Sequence, residues 1–202
     1  MTDSQPVIFA DRVRTLTGNW VGRAGLAVHK LGIHPDWITW AGLALVALAA
    51  LVIGSGQFQW GGVLLLLGVP LDALDGAVAR AMQRKDKFGA VLDSTLDRYA
   101  DGLIFGALCY HFAVQNQPGA VLLALAALAG AFAVSYVRAR AGEAGLSVRI
   151  GLFDRLVRLV VMLIALLVPA TLMAALWILA LGTNFTALQR LWFVYKHISK
   201  EA

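Results

Sequence analysis

Three long stretches of the chain carry no Asp, Glu, Lys or Arg: between Asp36 and Asp72, between Asp101 and Arg138, and between Arg158 and Arg190. A helix needs about 20 apolar residues to cross the hydrocarbon core of a bilayer. The first stretch holds one such span and carries the chain into a second. Each of the other two is long enough for a pair of helices joined by a tight turn. Gly, Pro, Gln and Asn near 54–59, 115–119 and 169–171 mark those turns. The pattern predicts six transmembrane helices, over 37–55, 60–83, 88–113, 119–141, 153–169 and 171–194.

Ahead of the first span, Ile8, Phe9, Val13, Leu16, Trp20, Val21, Leu26, Ala27 and Leu31 recur at helical intervals among Arg12, Arg14, Arg23 and Lys30. That alternation predicts a helix lying in the membrane interface, with Trp and Arg as anchors. The expected fold class is therefore all-α integral membrane: six transmembrane helices preceded by an N-terminal amphipathic interfacial helix. One domain over 1–202 is expected, with a cytoplasmic or interfacial leader over 1–36 and a six-helix bundle over 37–195.

Composition points the same way. Hydrophobic residues make up 59% of the 202 and charged residues 14%, against about 25% charged in soluble domains. The net charge of +5 is then read as attraction to an anionic membrane surface, not to nucleic acid. The lone Cys109 excludes a disulfide framework or a zinc cluster. Six spans put both termini on one side. That side collects the arginines of the leader, Arg84, Lys85 and Lys87, then Arg140 and Arg149, then Lys196 and Lys200. The opposite turns carry no charge, so the positive-inside rule makes the charged side cytoplasmic in a multi-pass cell-membrane protein.

The charges that remain are grouped. Asp72 and Asp75 are three apart on the second helix, and Asp93 and Asp97 are four apart on the third. Both spacings put a pair on one helix face. A short connection makes the helices antiparallel neighbours, so the two pairs can face each other near the cytoplasmic end. Each Asp at the centre of a span costs about 2.5–3.5 kcal/mol on insertion scales. Arg80 offers a single positive charge in return, whereas two divalent cations would offer four. Oxygen-only ligands suit Mg²⁺, Mn²⁺ or Ca²⁺. Gly76, directly after Asp75, admits a ligand or a neighbouring backbone at close range.

These residues form the pattern D-x-x-D-G-x-x-A-R, eight residues, then G-x-x-x-D-x-x-x-D, filled here by Asp72, Asp75, Gly76, Ala79, Arg80, Gly89, Asp93 and Asp97 without departure. In this the sequence resembles the CDP-alcohol phosphotransferases. The resemblance implies that Asp72, Asp75 and Asp93 hold one Mg²⁺ or Mn²⁺ ion and that Asp72, Asp93 and Asp97 hold a second. It implies that Asp97 is also the general base toward the acceptor hydroxyl, and that Gly76 and Arg80 contact the CDP moiety. Asp36 and Thr39, in the segment Pro35-Asp36-Trp37-Ile38-Thr39, resemble a nucleotide-side element of the family, and Asp86 in the basic loop is a further candidate for the nucleotide. The implied reaction is attack of an alcohol on the β-phosphate of CDP-diacylglycerol with CMP leaving; a covalent aspartyl intermediate is the variant. Two metals neutralising a pyrophosphate and aligning a nucleophile would be the chemistry required. The implied state is a homodimer.

The acceptor is read from the fourth and fifth helices. Arg138, Arg155 and Arg158 approach one level, and Arg suits bidentate contact with a phosphate monoester. Snorkelling anchors are the competing reading. The segments Tyr136-Val137-Arg138-Ala139-Arg140-Ala141 and Asp154-Arg155-Leu156-Val157-Arg158 are similar to the phosphatidylinositol-phosphate synthase branch, with Asp154 where Glu is expected and Leu156-Val157 where Pro-Glu is expected. Inositol 1-phosphate is the first choice of acceptor and glycerol 3-phosphate the second; an uncharged acceptor such as inositol, serine or choline fits if the arginines only anchor. Intramembrane carboxylates also mark ion paths, which leaves a transporter or channel as the alternative of another class.

Overall fold

Pro35 opens the first helix. It occupies the first helical position, where a missing N–H costs nothing, and the His34 ring caps the end by accepting a 3.4 Å hydrogen bond from the Asp36 N–H. In the computed structural model of the chain, the described residues are 34–81 and 87–198, with the side chains at 35, 72–77, 79–81 and 87 excepted. They form helices α1 (Pro35–Gly54), α2 (Phe58–Ala81), α3 (Lys87–Val114), α4 (Pro118–Glu143), α5 (Arg155–Leu167) and α6 (Leu172–Ile198), with a 3₁₀ turn at Pro169–Thr171. There is no strand among the described residues. The interfacial helix expected before α1 falls on residues outside the description.

All six helices lie where the hydrophobic pattern puts them. The largest displacement is the end of α6, at Ile198 instead of 194. The turns fall on the expected residues, helped by left-handed backbone at Gly56 (φ 87°) and Asn116 (φ 54°), conformations that Gly and Asn adopt most readily. The fifth helix is shorter than expected. Asp154 caps its start, with Oδ1 accepting from the Val157 N–H at 3.0 Å, and Val168 is held out of the helix by Pro169. Its 13 residues span about 20 Å at 1.5 Å per residue.

The helices pack as a ring. α1 touches α2 and α3, α3 touches α4, α4 touches α6, α6 touches α5, and α5 closes back onto α2. Contacts at the turns fix the directions. Gly54 and Gly56 abut Tyr110 and His111 at the far end of α3, and Gln59 donates to the Leu167 carbonyl at the end of α5. The starts of α1, α3 and α5 therefore share one end of the ring with the ends of α2, α4 and α6.

Small residues allow a close crossing of α4 and α6. Ala120, Ala124, Ala127, Gly130 and Ala131 form the buried face of α4, and a Cβ on Gly130 would collide with Thr183 Oγ1 and crowd the Asn184 backbone on α6. Asn184 Nδ2 donates to the carbonyls of Ala126 (2.9 Å) and Ala180 (2.8 Å), a polar tie between the two helices of the kind used where lipid is the solvent. Outward faces are apolar: Trp37, Leu51, Trp60, Leu122 and Leu188 are all exposed. Three helical stretches, Asp36–Gly54, Pro118–Glu143 and Pro169–Ile198, are long and apolar enough to cross a membrane, and Phe58–Leu71 is a shorter apolar one. The described residues form an all-helical membrane protein. α3 is unlike these because it carries Asp93, Asp97, Arg98 and Asp101 between its start and its middle.

Candidate active site

A cavity of about 110 Å³ lies between α1, α2, α3 and α5. Val46, Leu65, Val69, Ile104, Phe105 and Met162 make its apolar wall, while Thr39, Asp93, Asp97, Asp101, Arg155 and Arg158 make its polar one. The polar side chains come from the first two turns of α1, the first turn of α5 and the stretch of α3 from Asp93 to Asp101, toward the helix starts that share one end of the ring. Asp93, Asp97 and Asp101 recur every four residues, which aligns them on one face of α3. Arg155 and Arg158 are three apart at the start of α5, again on one face.

The two faces meet in register. Arg155 Nη2 lies 2.5 Å from Asp97 Oδ1, and Arg158 Nη2 lies 2.9 Å from Asp101 Oδ2. Rising numbers pair with rising numbers, so α3 and α5 run parallel here. Arg158 Nη1 also donates to the Phe153 carbonyl at 3.4 Å, and Arg98 approaches Asp97 at 3.5 Å. Arg158 is 4% exposed, and its Nε is buried with no hydrogen-bond partner among the described residues. Buried donors are nearly always satisfied, so this atom marks a place where an oxygen would be welcome.

This pairing corrects one expectation. Arg80 is not alone in offsetting the acids: Arg155 and Arg98 act on Asp97, and Arg158 acts on Asp101. Arg98 is the next residue on α3, but the other two arginines come from α5, more than fifty residues away in sequence, where no local spacing rule points to them. Among the described side chains, Asp97 and Asp101 are therefore offset without cations. The chemistry of the donors still fits them: Asp93 and Asp97 offer only carboxylate oxygens and line one cavity, a donor set suited to a hard divalent ion.

Of the other expected site residues, Thr39 lines the cavity. Asp36 stands at the start of α1 with its carboxylate 3.4 Å from His34 Nδ1. Arg138 is exposed on α4 and is not part of the cavity wall. Asp72, Asp75, Gly76 and Arg80 lie in the second half of α2, and their side-chain positions are outside the described residues, as is all of Asp86. No group of three or more His, Cys, Asp or Glu able to hold a metal occurs among the described residues. Asp101 in the cavity wall and the buried Arg190 behind the start of α5 were not expected. Asp101 is one turn beyond the acidic motif, so continuation of the four-residue repeat is its signal. Arg190 closes a 31-residue uncharged stretch; a charge set at the end of such a run and still 4% exposed marks a specific partner.

The relatives bear on the same region. A model of the CDP-alcohol phosphatidyltransferase family matches residues 32–188. Phosphatidylinositol phosphate synthase of Mycolicibacterium smegmatis is 38% identical over 174 residues, covering 81% of this chain and 78% of that protein. The crystal structure of Mycobacterium tuberculosis phosphatidylinositol phosphate synthase with CDP-DAG bound matches at a TM-score of 0.80 and 31% identity, over 87% of this chain and 93% of that one. The same enzyme in complex with manganese and citrate also matches at 0.80 and 31% identity, over 87% and 88%.

Proposed function

Because the chain belongs to the CDP-alcohol phosphatidyltransferase family, we propose that it transfers the phosphatidyl group of CDP-diacylglycerol to inositol 1-phosphate, releasing CMP and forming phosphatidylinositol phosphate. The observation that carries this reading is the meeting of Asp93 and Asp97 with Arg155 and Arg158 across one cavity. Carboxylates and guanidinium groups in one small volume suit a reaction that joins two phosphate-bearing substrates. The similarity to phosphatidylinositol phosphate synthases favours the inositol acceptor over glycerol 3-phosphate.

The assignments follow from position. Asp72, Asp75 and Asp93 would hold one Mg²⁺ or Mn²⁺ ion, and Asp72, Asp93 and Asp97 a second; when bound, the ions would neutralise the pyrophosphate and acidify the acceptor hydroxyl. Gly76 and Arg80 on α2, with Asp36, Thr39 and Asp86, would hold the CDP portion. Arg155 and Arg158 would hold the acceptor phosphate, with Arg138 as a third contact from α4. A phosphate gripped by Arg155 would place the inositol ring near Asp97, whose side chain Arg155 contacts. Asp97 is then in reach of the acceptor hydroxyl and takes its proton as the oxygen attacks the β-phosphate. The apolar wall would admit the acyl-bearing side of the donor.

The wider reading is one domain over 1–202 in the cell membrane, with all six helices spanning, the leader 1–36 at the interface, and termini and active site cytoplasmic. The homodimer belongs to the same proposal, and sedimentation in detergent tests it. The deciding experiment supplies purified protein with CDP-diacylglycerol, Mg²⁺ or Mn²⁺, and one acceptor at a time, and measures CMP. Release with inositol 1-phosphate is expected. Release with glycerol 3-phosphate alone would move the assignment to that acceptor, and no release with any acceptor would refute the enzyme reading.

A further inference from the structure

Both oxygens of Asp97 face a guanidinium group. Oδ1 lies 2.5 Å from Arg155 Nη2, and Oδ2 lies 3.5 Å from Arg98 Nη2. This is the carboxylate that the proposed mechanism gives to a divalent cation. Its side chain is 12% exposed, so little water screens a cation from the neighbouring guanidinium groups. Arg155 and a cation therefore compete for Oδ1. The two arginines of α5 are held differently. Arg158 is buried, with Nη2 on Asp101 at 2.9 Å and Nη1 on the Phe153 carbonyl at 3.4 Å. Arg155 has a side chain that is 42% exposed, and it is the first residue of α5, directly after the Asp154 cap. A long, exposed side chain at a helix end changes rotamer without moving the backbone.

From this asymmetry we infer that Arg155 has two alternative partners, Asp97 before a cation binds and the acceptor phosphate afterwards, and that this exchange couples the two sites. Arg155 gives up Asp97 when the carboxylate is taken by a cation. It stays on the helix face that it shares with Arg158, three residues on, and the two then close on the phosphate, with Arg158 already in place. While Arg155 holds Asp97, the cation site lacks a ligand and the acceptor site lacks an arm. The apparent affinity of each is lowered by the fraction of molecules in the competent state. A cation therefore tightens the acceptor, and by linkage the acceptor tightens the cation by the same factor. The reaction gains an order from this: the phosphorylated acceptor is held firmly only where the ion beside its hydroxyl is already present. Arg98 is not the exchanging partner. It lies on α3 next to Asp97, its contact is longer, and it is not part of the cavity wall that holds Arg155 and Arg158.

The inference rests on the proposed cation and acceptor sites, and the test separates it from them. Full-length protein in detergent is stripped of metal and titrated with Mn²⁺ by calorimetry, alone and with inositol 1-phosphate. An ionic strength of about 0.3 M damps long-range charge effects. Arg155→Gln is compared with Arg98→Gln, which removes the same charge from the same carboxylate, and with Asp97→Asn. Arg155 and Arg98 are both partly exposed, so the fold tolerates their loss. In the wild type, inositol 1-phosphate should tighten Mn²⁺ about tenfold, the scale of one charge-assisted hydrogen bond. Without acceptor, Arg155→Gln should bind Mn²⁺ about tenfold tighter than wild type, and added inositol 1-phosphate should change that affinity little. Arg98→Gln should keep the coupling and alter Mn²⁺ affinity less, and Asp97→Asn should weaken the binding of one ion. Asp97-dependent Mn²⁺ binding that is no tighter in Arg155→Gln, or that tightens equally in Arg98→Gln, overturns the inference alone. An Asp97→Asn protein that binds Mn²⁺ as wild type does overturns the cation assignment on which it rests.

Discussion

The Asp101–Arg158 pair offers the sharpest test of the site's energetics. Arg158 is 4% exposed and its partner carboxylate 19%, at 2.9 Å. Removing the carboxylate in Asp101→Ala leaves the guanidinium, in a cavity wall shared with Ile104, Leu159 and Met162, with the Phe153 carbonyl alone. Breaking a buried pair from one side costs about 3–5 kcal/mol. For a chain of this size 1 kcal/mol moves the melting temperature by about 2–4 °C, so a drop of about 6–20 °C is expected. Arg158→Met should cost less, because Asp101 is more exposed and can take up water. The double variant Asp101→Ala/Arg158→Met removes both charges and fills much of the space. It should recover most of the loss, since apolar replacement of a buried pair is often neutral or better. Melting is read in detergent from the monodisperse fraction remaining after heating. An Asp101→Ala protein melting within 2 °C of wild type, or a double variant no more stable than the worse single one, would refute the claim that this contact is an energetically coupled buried pair. Recovery of stability should not bring back turnover, because the double variant still lacks the Arg158 side chain.

Other expectations follow from the same geometry. Asp97→Asn should lower CMP release by about 100-fold or more while cation-dependent binding of CDP-diacylglycerol, followed by calorimetry, largely survives; near-normal turnover would remove Asp97 from the role of base. Arg155→Gln should raise the acceptor KM by at least about tenfold, the scale of a lost charge-assisted hydrogen bond, with the CDP-diacylglycerol KM little changed; an effect confined to the lipid substrate would count against the assignment. Chelation should stop CMP release and added Mn²⁺ or Mg²⁺ should restore it, and activity in excess chelator would eliminate the cation reading. Gly130→Leu should lower stability by about 1–3 kcal/mol or more by forcing α4 off α6, seen as early aggregation on heating; unchanged stability would deny the close crossing.

The helices were readable because membrane sequence is punctuated by the absence of charge and by Gly, Pro and Asn at the turns. The order of the ring was not. α4 meets α6 through Ala124, Ala127 and Gly130, yet its lipid face, with Leu122 and Leu125, is apolar too. Where protein and lipid both favour apolar contact, periodicity carries little contrast. The acidic motif on α3 was legible because like charges at four-residue spacing have no cheap purpose in an apolar helix. Its partners were less so. Arg155 and Arg158 were seen as a phosphate pocket, but their engagement with Asp97 and Asp101 spans 58 and 57 positions, a tertiary fact with no local signal. The Asp at 154, a departure from the branch pattern, has a physical reason in the structure: it caps α5 through the Val157 N–H, a position where a short acidic side chain reaches the backbone well.

Charge also discriminates among the acceptors. Among the described side chains at the site, Asp93, Asp97 and Asp101 are matched in number by Arg98, Arg155 and Arg158. Divalent cations entering such a balanced group on the proposed reading leave the cavity with positive charge to spare, in an apolar surrounding where charge is poorly screened. The pyrophosphate of the donor takes up part of that excess. A phosphorylated acceptor takes up more, whereas inositol, serine or choline takes up none and leaves Arg155 and Arg158 facing an uncharged molecule. The buried Nε of Arg158 adds to the preference, since an oxygen-rich anion would satisfy it. Inositol 1-phosphate should therefore outcompete unphosphorylated inositol when both are present. Preferential incorporation of free inositol, measured by the mass of the lipid product, would break the link between these arginines and the acceptor.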